Sequence, residues 1–170
     1  TAVFDYLDVD PTPAVANGDE VDAGATLLEV SGRARGVLRG ERTAANLVGH
    51  AAGVATRTRR AVRAARTASE SVRVAATRKT TPGLRGVEKR AVAAGGGDTH
   101  RLTLSGLVMV KDNHVAEMGL EAAVEFFRDR KSFATNLEVE VESPAAAVRA
   151  ADAGADVLLL DNLPPTAVRE

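Results

Sequence analysis

The sequence contains no cysteine and no tryptophan, and its aromatic residues are limited to four Phe and one Tyr. Without cysteine, disulfides and thiolate metal sites are excluded, which fits a reducing compartment, and we expect a cytoplasmic location. So few aromatic rings cannot form base-stacking platforms, so we expect no nucleic-acid partner. No apolar run approaches the ~20 residues that span a bilayer, and no membrane partner is expected.

The chain also lacks an initiator methionine and the basic segment of a signal peptide at Thr1. It stops within what reads as the first turns of a helix, after too few predicted strands to close a barrel. We therefore expect the sequence to be a fragment at both ends. Its apolar content of 45% and charged content of 26% are typical of a globular fold.

Positive charge is concentrated in the middle of the chain, although the net charge is only −1. Between Arg33 and Arg101 there are 16 lysines or arginines against four acids, whereas the remaining residues carry six against 19. A basic segment of this kind attracts anionic ligands. With so few aromatic residues, a small polyanionic substrate is a better prediction than nucleic acid.

Hydrophobic periodicity predicts two different patterns along the chain. Residues 1–32 are rich in turn residues and short β runs, with a strand predicted at Thr26–Val30. Apolar residues at three- and four-residue steps predict a helix over 41–68, with a plausible break at Gly49 and Gly53. Beyond residue 70, strands are predicted at 72–76, 107–110, 137–141 and 156–160, and helices at 84–94, 119–130 and 144–152.

This alternation of strands and helices predicts an α/β fold with a parallel sheet, whose functional site lies at the carboxyl ends of the strands. The loop Thr77–Arg85 combines an adjacent arginine and lysine with three threonines and a Pro-Gly turn, an inventory suited to holding anions. Further polar groups at or near strand ends are His100-Arg101, Lys111-Asp112-Asn113-His114, the alternating Glu138, Glu140 and Glu142, and Asp161-Asn162.

The alternating glutamates place three carboxylates on one face of a strand. An exposed acidic face is the structural alternative, but buried glutamates in a covered strand require a metal ion or a hydroxyl-rich ligand. Together with Asp161, two carboxylates could flank a Mg²⁺ ion.

Lys79 and Lys111 are candidate functional residues because two of only four lysines fall at predicted strand ends. We interpret His50, in the apolar helix, as a packed histidine.

Seven stretches occur in the order found in one known family. They are Glu41–Leu47, Gly53–Thr56, Thr77–Arg85, Gly95–Gly97 with His100-Arg101, Val110–His114, Glu138–Glu142 and Leu159–Asn162. This ordered set resembles the quinolinate phosphoribosyltransferase family. The resemblance implies part of an N-terminal α/β sandwich domain over residues 1–51 and part of an incomplete α/β barrel with parallel strands over residues 52–170. Ala76 and Thr99 depart from the aspartate and asparagine that are usual in the family.

The activity implied by the resemblance is a glycosyl transfer in NAD biosynthesis. Quinolinate and phosphoribosyl pyrophosphate would give nicotinate mononucleotide, pyrophosphate and CO₂, with Mg²⁺ as cofactor. The implied assembly is a homodimer with a shared active site, with a hexamer as the larger alternative.

The resemblance also implies roles for individual residues. For the pyridine dicarboxylate it implies Arg42 from a second subunit together with Arg78, His100, Arg101 and Lys111, and it implies that Thr77 also binds substrate. For phosphoribosyl pyrophosphate it implies Lys79, Asp112 and His114, and for the ribose hydroxyls and Mg²⁺ it implies Glu140 and Asp161. The catalytic residues among them would be Lys79, Lys111, Glu140 and Asp161.

Other functions are compatible with parts of the pattern. A nicotinate phosphoribosyltransferase, a molybdenum-transport-associated relative and a non-catalytic relative would share the fold. A substrate with a single carboxylate would not need Arg42, Arg78 and Arg101 together, which favours quinolinate. Outside this class, a nucleic-acid-binding module that uses the arginine-rich helix predicts binding that weakens steeply with salt.

Overall fold

The computed structural model describes residues 1–169. The chain divides into two compact units, Thr1–Leu102 and Thr103–Glu170. The first unit contains a small antiparallel sheet in which Pro11 pairs with Val30. Its elements are α1 (Ala2–Asp5), β1 (Asp10–Pro13), β2 (Leu28–Ser31), α2 (Ala34–Arg66) and α3 (Arg85–Ala94).

Helix α2 is longer than the periodicity predicts and has no break. It begins at Ala34 because its first turns pack on α1, where Gly40 lies against the Phe4 ring. The predicted break at Gly49 and Gly53 is wrong, since each glycine costs only ~1 kcal/mol relative to alanine in a helix rich in alanine and arginine. Within residues 1–169, no helix combines the length and the apolar character needed to cross a membrane.

The segment predicted as a strand at 72–76 pairs with the rest of the unit over a very short stretch. Ala75 and Asp98 form an isolated parallel bridge. The Ala76 amide donates to the Asp98 carbonyl at 2.9 Å, and the Asp98 amide donates to the Val74 carbonyl at 2.8 Å. These bonds align the chain that enters the Thr77–Arg85 loop with the chain that enters His100-Arg101.

The second unit is a parallel three-stranded sheet with helices, in the strand order β3-β4-β5. The register places Val110 beside Val139 and Val141 beside Leu160. The predicted α/β class with parallel strands is confirmed, and the described strands form no closed barrel. The elements are β3 (Val108–Val110), α4 (Asp112–Met118), α5 (Leu120–Arg128), β4 (Leu137–Val141), α6 (Pro144–Asp152), β5 (Val157–Leu160) and α7 (Pro165–Val168).

One face of this sheet forms the apolar core of the second unit. Leu137 and Val139 of β4 are fully buried, together with Val110 of β3 and with Val124 of α5. At the start of α6, the Ser143 hydroxyl accepts the Ala146 amide at 3.2 Å, as expected of an N-cap residue. The apolar face of β4 therefore packs on helices, and its alternate residues, Glu138 and Glu140, project from the opposite face.

Candidate active site

The loop between Ala76 and α3 is closed by its own threonines. The Lys79 amide donates to the Thr77 hydroxyl at 3.1 Å, and the Arg85 guanidinium donates through Nε to the Thr80 hydroxyl at 3.1 Å. Gly83 has φ 78°, a left-handed conformation that a side chain would strain, so the Pro-Gly turn can lead directly into the helix. These contacts leave the Lys79 side chain exposed at the start of the loop.

Glu88, one turn into α3, ties this loop to two helices. Its carboxylate accepts the Thr81 amide at 3.1 Å and contacts His50 Nε2 of α2 at 2.8 Å. The hydrogen bond from Thr81 and then that from His50 lower the pKa of Glu88, because both stabilise the carboxylate. The interpretation of His50 as a packed histidine is wrong, since its side chain is 40% exposed and is paired with Glu88.

Arg78 carries a buried donor that is unsatisfied within residues 1–169. Its Nε has no hydrogen-bond partner in this part of the chain. A buried donor without an acceptor costs ~1–3 kcal/mol, which an anionic ligand would recover. The planar guanidinium is suited to bidentate binding of a carboxylate.

A pocket of about 300 Å³ lies beside the loop. It is lined by residues of the loop, of α2 and of α3. The lining residues that carry polar side chains are Thr77, Lys79, Thr80, Glu88 and Lys89. The pocket is therefore bordered by two of the residues predicted to bind substrate, Thr77 and Lys79.

His100 and Arg101 follow the short pairing with Ala76. His100 has φ 50°, and its amide donates to the Asp98 carboxylate at 2.8 Å. The other oxygen of Asp98 lies 3.3 Å from Arg73 Nη2. Asp98 thus fixes the backbone turn at His100, a role that the sequence pattern did not indicate.

In the second unit, Lys111 directly follows β3 and forms an ion pair with Glu140 of the neighbouring strand β4. The Glu140 side chain is 14% exposed and that of Lys111 is 41% exposed. The Lys111 amide donates to Nδ1 of His114 at 3.0 Å, so this ring nitrogen must be unprotonated. His114 also meets the Phe127 ring edge-on, with ring centres 5.5 Å apart.

Glu140 and Asp161 lie at neighbouring strand ends. Glu140 pairs with Leu159 in the register, and Asp161 follows two positions later, with its amide donating to the Val141 carbonyl at 2.9 Å. The two-residue pleat therefore directs both carboxylates to the same face. Asp161 also accepts a hydrogen bond from the Asn162 side chain at 2.9 Å.

These carboxylates fit Mg²⁺ by donor type. Within residues 1–169 no group of three or more His, Asp or Glu side chains could hold a metal ion. Mg²⁺ usually takes one or two carboxylates and completes its octahedron with water and substrate phosphates. Glu140 and Asp161 could supply that partial set, and the assignment of Mg²⁺ stays a prediction.

The predicted site residues fall in both compact units. Thr77, Arg78, Lys79, His100 and Arg101 belong to the first, and Lys111, Asp112, His114, Glu140 and Asp161 belong to the second. Arg42 is exposed on α2, about 12 Å along the helix axis from His50 at 1.5 Å per residue. The role predicted for Arg42 in a second subunit stays a prediction.

The fold and these polar groups define the class of protein. It is an α/β protein with a loop rich in cations and threonines, and with lysine and carboxylate side chains at the carboxyl ends of parallel strands. A protein with this set of charged groups is suited to binding a polyanionic ligand.

Comparison with known families identifies which one. The family described as "Quinolinate phosphoribosyl transferase, N-terminal domain" matches residues 1–52, and the corresponding C-terminal domain family matches residues 54–170. The chain belongs to the quinolinate phosphoribosyl transferase family, so the resemblance seen in the motifs is confirmed.

Curated relatives agree with this family. A probable nicotinate-nucleotide pyrophosphorylase [carboxylating] of Methanothermobacter thermautotrophicus is 51% identical over 154 residues, which cover 90% of this chain and 55% of the relative. The nicotinate-nucleotide pyrophosphorylase [carboxylating] of Homo sapiens is 46% identical over 165 residues, which cover 96% of this chain and 56% of the relative. The chain thus spans little more than half the length of these relatives.

Solved structures show the same fold. NadC from Streptococcus pyogenes superposes with a TM-score of 0.89 at 40% identity, covering 98% of this chain and 60% of that chain. The nicotinate-nucleotide pyrophosphorylase from Ehrlichia chaffeensis superposes with a TM-score of 0.89 at 30% identity, covering 99% and 61%.

Proposed function

We propose that the whole protein to which this chain belongs converts quinolinate and phosphoribosyl pyrophosphate to nicotinate mononucleotide, pyrophosphate and CO₂ in NAD biosynthesis. The observation that carries this proposal is the match of both family domains in sequence order across the chain. The names of the relatives from M. thermautotrophicus and H. sapiens support the carboxylating pyrophosphorylase activity.

The first unit supplies cations for the two adjacent carboxylates of quinolinate. Arg78 is the best supported, because its buried Nε lacks an acceptor within the described part of the chain. His100 and Arg101 follow the same short backbone pairing, and Thr77 borders the loop pocket. Lys111, and Arg42 from a second subunit, are the other cations proposed to bind quinolinate, since a dianion needs several cationic partners.

The reaction is a displacement at the anomeric carbon of the ribose. The quinolinate ring nitrogen forms a bond to that carbon, and the bond to pyrophosphate breaks with its electron pair on the leaving oxygen. Positive charge builds up on the sugar during this exchange, and the Glu140 and Asp161 carboxylates stabilise it. Lys79, Asp112 and His114 face the phosphoribosyl pyrophosphate, and the Lys79 ammonium offsets charge on the departing pyrophosphate.

Decarboxylation then completes the conversion. The bond between the ring and the carboxylate next to the new glycosidic bond breaks, CO₂ leaves, and the electron pair that stays on the ring carbon takes a proton. The pyridinium formed in the first step stabilises this electron pair, so the order of the two steps follows from the chemistry.

Glu140 and Asp161 would hold the Mg²⁺ cofactor, since both are oxygen donors on one sheet face. Bound Mg²⁺ supplies charge neutralisation for the pyrophosphate oxygens.

A homodimer with a shared site follows from the role proposed for Arg42, with a hexamer as the larger alternative. The proposed domains are a sandwich portion over 1–51 and a barrel portion over 52–170, and the proposed compartment is the cytoplasm.

The test uses the full-length protein with phosphoribosyl pyrophosphate and either quinolinate or nicotinate as the pyridine substrate. We expect nicotinate mononucleotide and equimolar CO₂ from quinolinate, and no product from nicotinate. Activity should disappear with a chelator of divalent cations and return when Mg²⁺ is added in excess. Turnover of nicotinate without turnover of quinolinate would contradict the proposed function and favour the single-carboxylate alternative.

A further inference from the structure

Lys89 of α3 is a buried lysine that has no place in the proposed chemistry. Its side chain is among the fully buried ones, with the residue 2% exposed. Burying an ammonium group is costly unless its donors are satisfied. Lys89 Nζ donates to the Ala76 carbonyl at 3.0 Å and also to the Thr99 carbonyl.

The two carbonyls belong to the two segments that carry substrate-binding residues in the first unit. Ala76 directly precedes Thr77-Arg78-Lys79, and Thr99 directly precedes His100-Arg101. The backbone pairing between these segments consists of the Ala75–Asp98 bridge, whose last bond runs from the Ala76 amide to the Asp98 carbonyl. The Lys89 ammonium therefore joins the segments where this backbone pairing stops.

The charges around Lys89 show that its position is demanding. Burial lowers the pKa of Lys89, and the nearby Arg85 and Arg78 cations lower it further, while Asp98 acts in the opposite direction. A neutral side chain would avoid this cost. Hydrogen bonds from a cation to two carbonyls are the compensation that the structure provides.

We propose that Lys89 is a positioning residue that holds the Arg78–Lys79 loop and the His100–Arg101 turn at a fixed separation, so that both can bind one dianionic substrate. The proposal rests on the proposed function for the identity of that substrate. Lys89 acts through the two backbone segments, because both of its known hydrogen bonds go to main-chain carbonyls.

The first experiment measures the quinolinate Kd of the full-length protein for Lys89→Met, which keeps the apolar stem and removes the donors. We expect the Kd to rise at least tenfold. The matched control is Lys131→Met, because Lys131 is also largely buried and donates to a carbonyl, that of Thr135, at 2.7 Å. Lys131 lies in the second unit and pairs with Asp156, so its loss should lower Tm and leave the Kd within twofold.

A second measurement separates the ammonium from simple packing. In Lys89→Ala, added propylammonium should restore quinolinate binding at least fivefold, whereas 1-propanol, which has a similar size and no charge, should not. Equal effects of the two compounds would mean that the Lys89 side chain acts only by packing, and they would contradict the proposal. A quinolinate Kd within twofold of wild type in Lys89→Met would also overturn the proposal.

Two further experiments cover the cases in which Lys89→Met does not fold or the wild type does not bind quinolinate. If Lys89→Met does not fold, Lys89→Gln, whose amide can donate to the carbonyls without a charge, should raise the Kd at least threefold, and an unchanged Kd overturns the proposal. If the wild type does not bind quinolinate, the proposed function fails by itself. Hydrogen exchange then tests Lys89 alone: amides of residues 77–81 and 99–101 should exchange at least tenfold faster in Lys89→Met, and unchanged rates reject the positioning role.

Discussion

The loop before α3 and the strand ends of the second unit use charged side chains in different ways. In the first unit, acids hold the backbone: Glu88 accepts the Thr81 amide and Asp98 accepts the His100 amide. The buried Nε of Arg78 is left without an acceptor within the described residues. In the second unit, Lys111 is paired directly with Glu140.

This difference indicates different functions for the charged side chains of the two units. A cation whose acceptor must come from a ligand is suited to binding an anion, because the ligand relieves the cost of an unsatisfied donor. A lysine paired with a carboxylate already has part of its charge balanced, so a ligand gains less from that charge. Such a pair suits a place where charge changes during the reaction, because each partner can respond to it. Arg78 of the first unit should therefore govern affinity, and Glu140 of the second should govern rate.

The largest effect should come from Glu140→Ala in the second unit. Because one well-placed electrostatic group is worth ~10²–10³ in rate, we expect kcat to fall about 100-fold while the quinolinate KM changes less than threefold. Steady-state kinetics of the full-length protein measure both quantities. Glu142→Ala is the matched control, since Glu142 follows on the same alternation but is exposed. Equal losses in both variants would remove the distinction between the units.

Arg78→Ala should have a smaller effect, and on affinity instead of rate. Hydrogen bonds to charged groups contribute ~1.5–3 kcal/mol, so the quinolinate Kd should rise by about 10- to 100-fold. Titration calorimetry with quinolinate measures this change. Arg60→Ala, on an exposed position of α2, should leave the Kd unaltered. A fall in kcat with an unchanged Kd would mean that Arg78 acts in the chemical step, and it would contradict the role of Arg78 in substrate affinity.

The smallest effect concerns Glu88 and the stability of the loop against acid. Hydrogen bonds from Thr81 and then His50 lower the folded-state pKa of Glu88 from 4.5, so its stabilisation is present above pH 4.5 and is lost as pH falls through the lowered pKa. The difference in unfolding free energy between wild type and Glu88→Gln should therefore shrink as the solution is acidified.

Urea unfolding at several pH values measures this difference. Glu121→Gln in the second unit is a useful comparison, because the Arg149 guanidinium is the largest influence that lowers the pKa of Glu121 to about 2. The contribution of Glu121 to the free energy of unfolding should persist to a lower pH, and it should stay small because Glu121 and Arg149 form an exposed surface pair. Hydrogen exchange at the Thr81 amide should accelerate only in Glu88→Gln. An acceleration in both variants would mean that the loop is not held by Glu88 in particular.

Elements with strong local signals agree between sequence and structure. The strand Leu137–Val141 and the helix Pro144–Asp152 occur at their predicted bounds, and the helix predicted at 84–94 begins one residue later. The apolar alternation of β4 and the Ser143-Pro144 start of α6 act within a few residues. Local chemistry of this kind is independent of distant contacts, so it can be predicted from the sequence.

Elements that depend on tertiary support do not agree. The pairing of Ala75 with Asp98 is much shorter than the strand predicted at 72–76, because strand length depends on available partners. Helix α4 (Asp112–Met118) was not predicted, since its sequence lacks a clear apolar period and its first turn is held by the bond from the Lys111 amide to His114.

By itself, the sequence determined the alternating α/β pattern, the ordered motifs of the quinolinate phosphoribosyl transferase family, and the candidate residues Arg78, Lys111, Glu140 and Asp161. Only the tertiary structure decided which charged residues are buried and connect separate segments through hydrogen bonds. Glu88 and Lys89 look like ordinary polar positions of an amphipathic helix, yet both are buried. The physical reason is that the acceptors and donors that make their burial tolerable come from segments distant in sequence, such as Thr99 for Lys89 and His50 for Glu88.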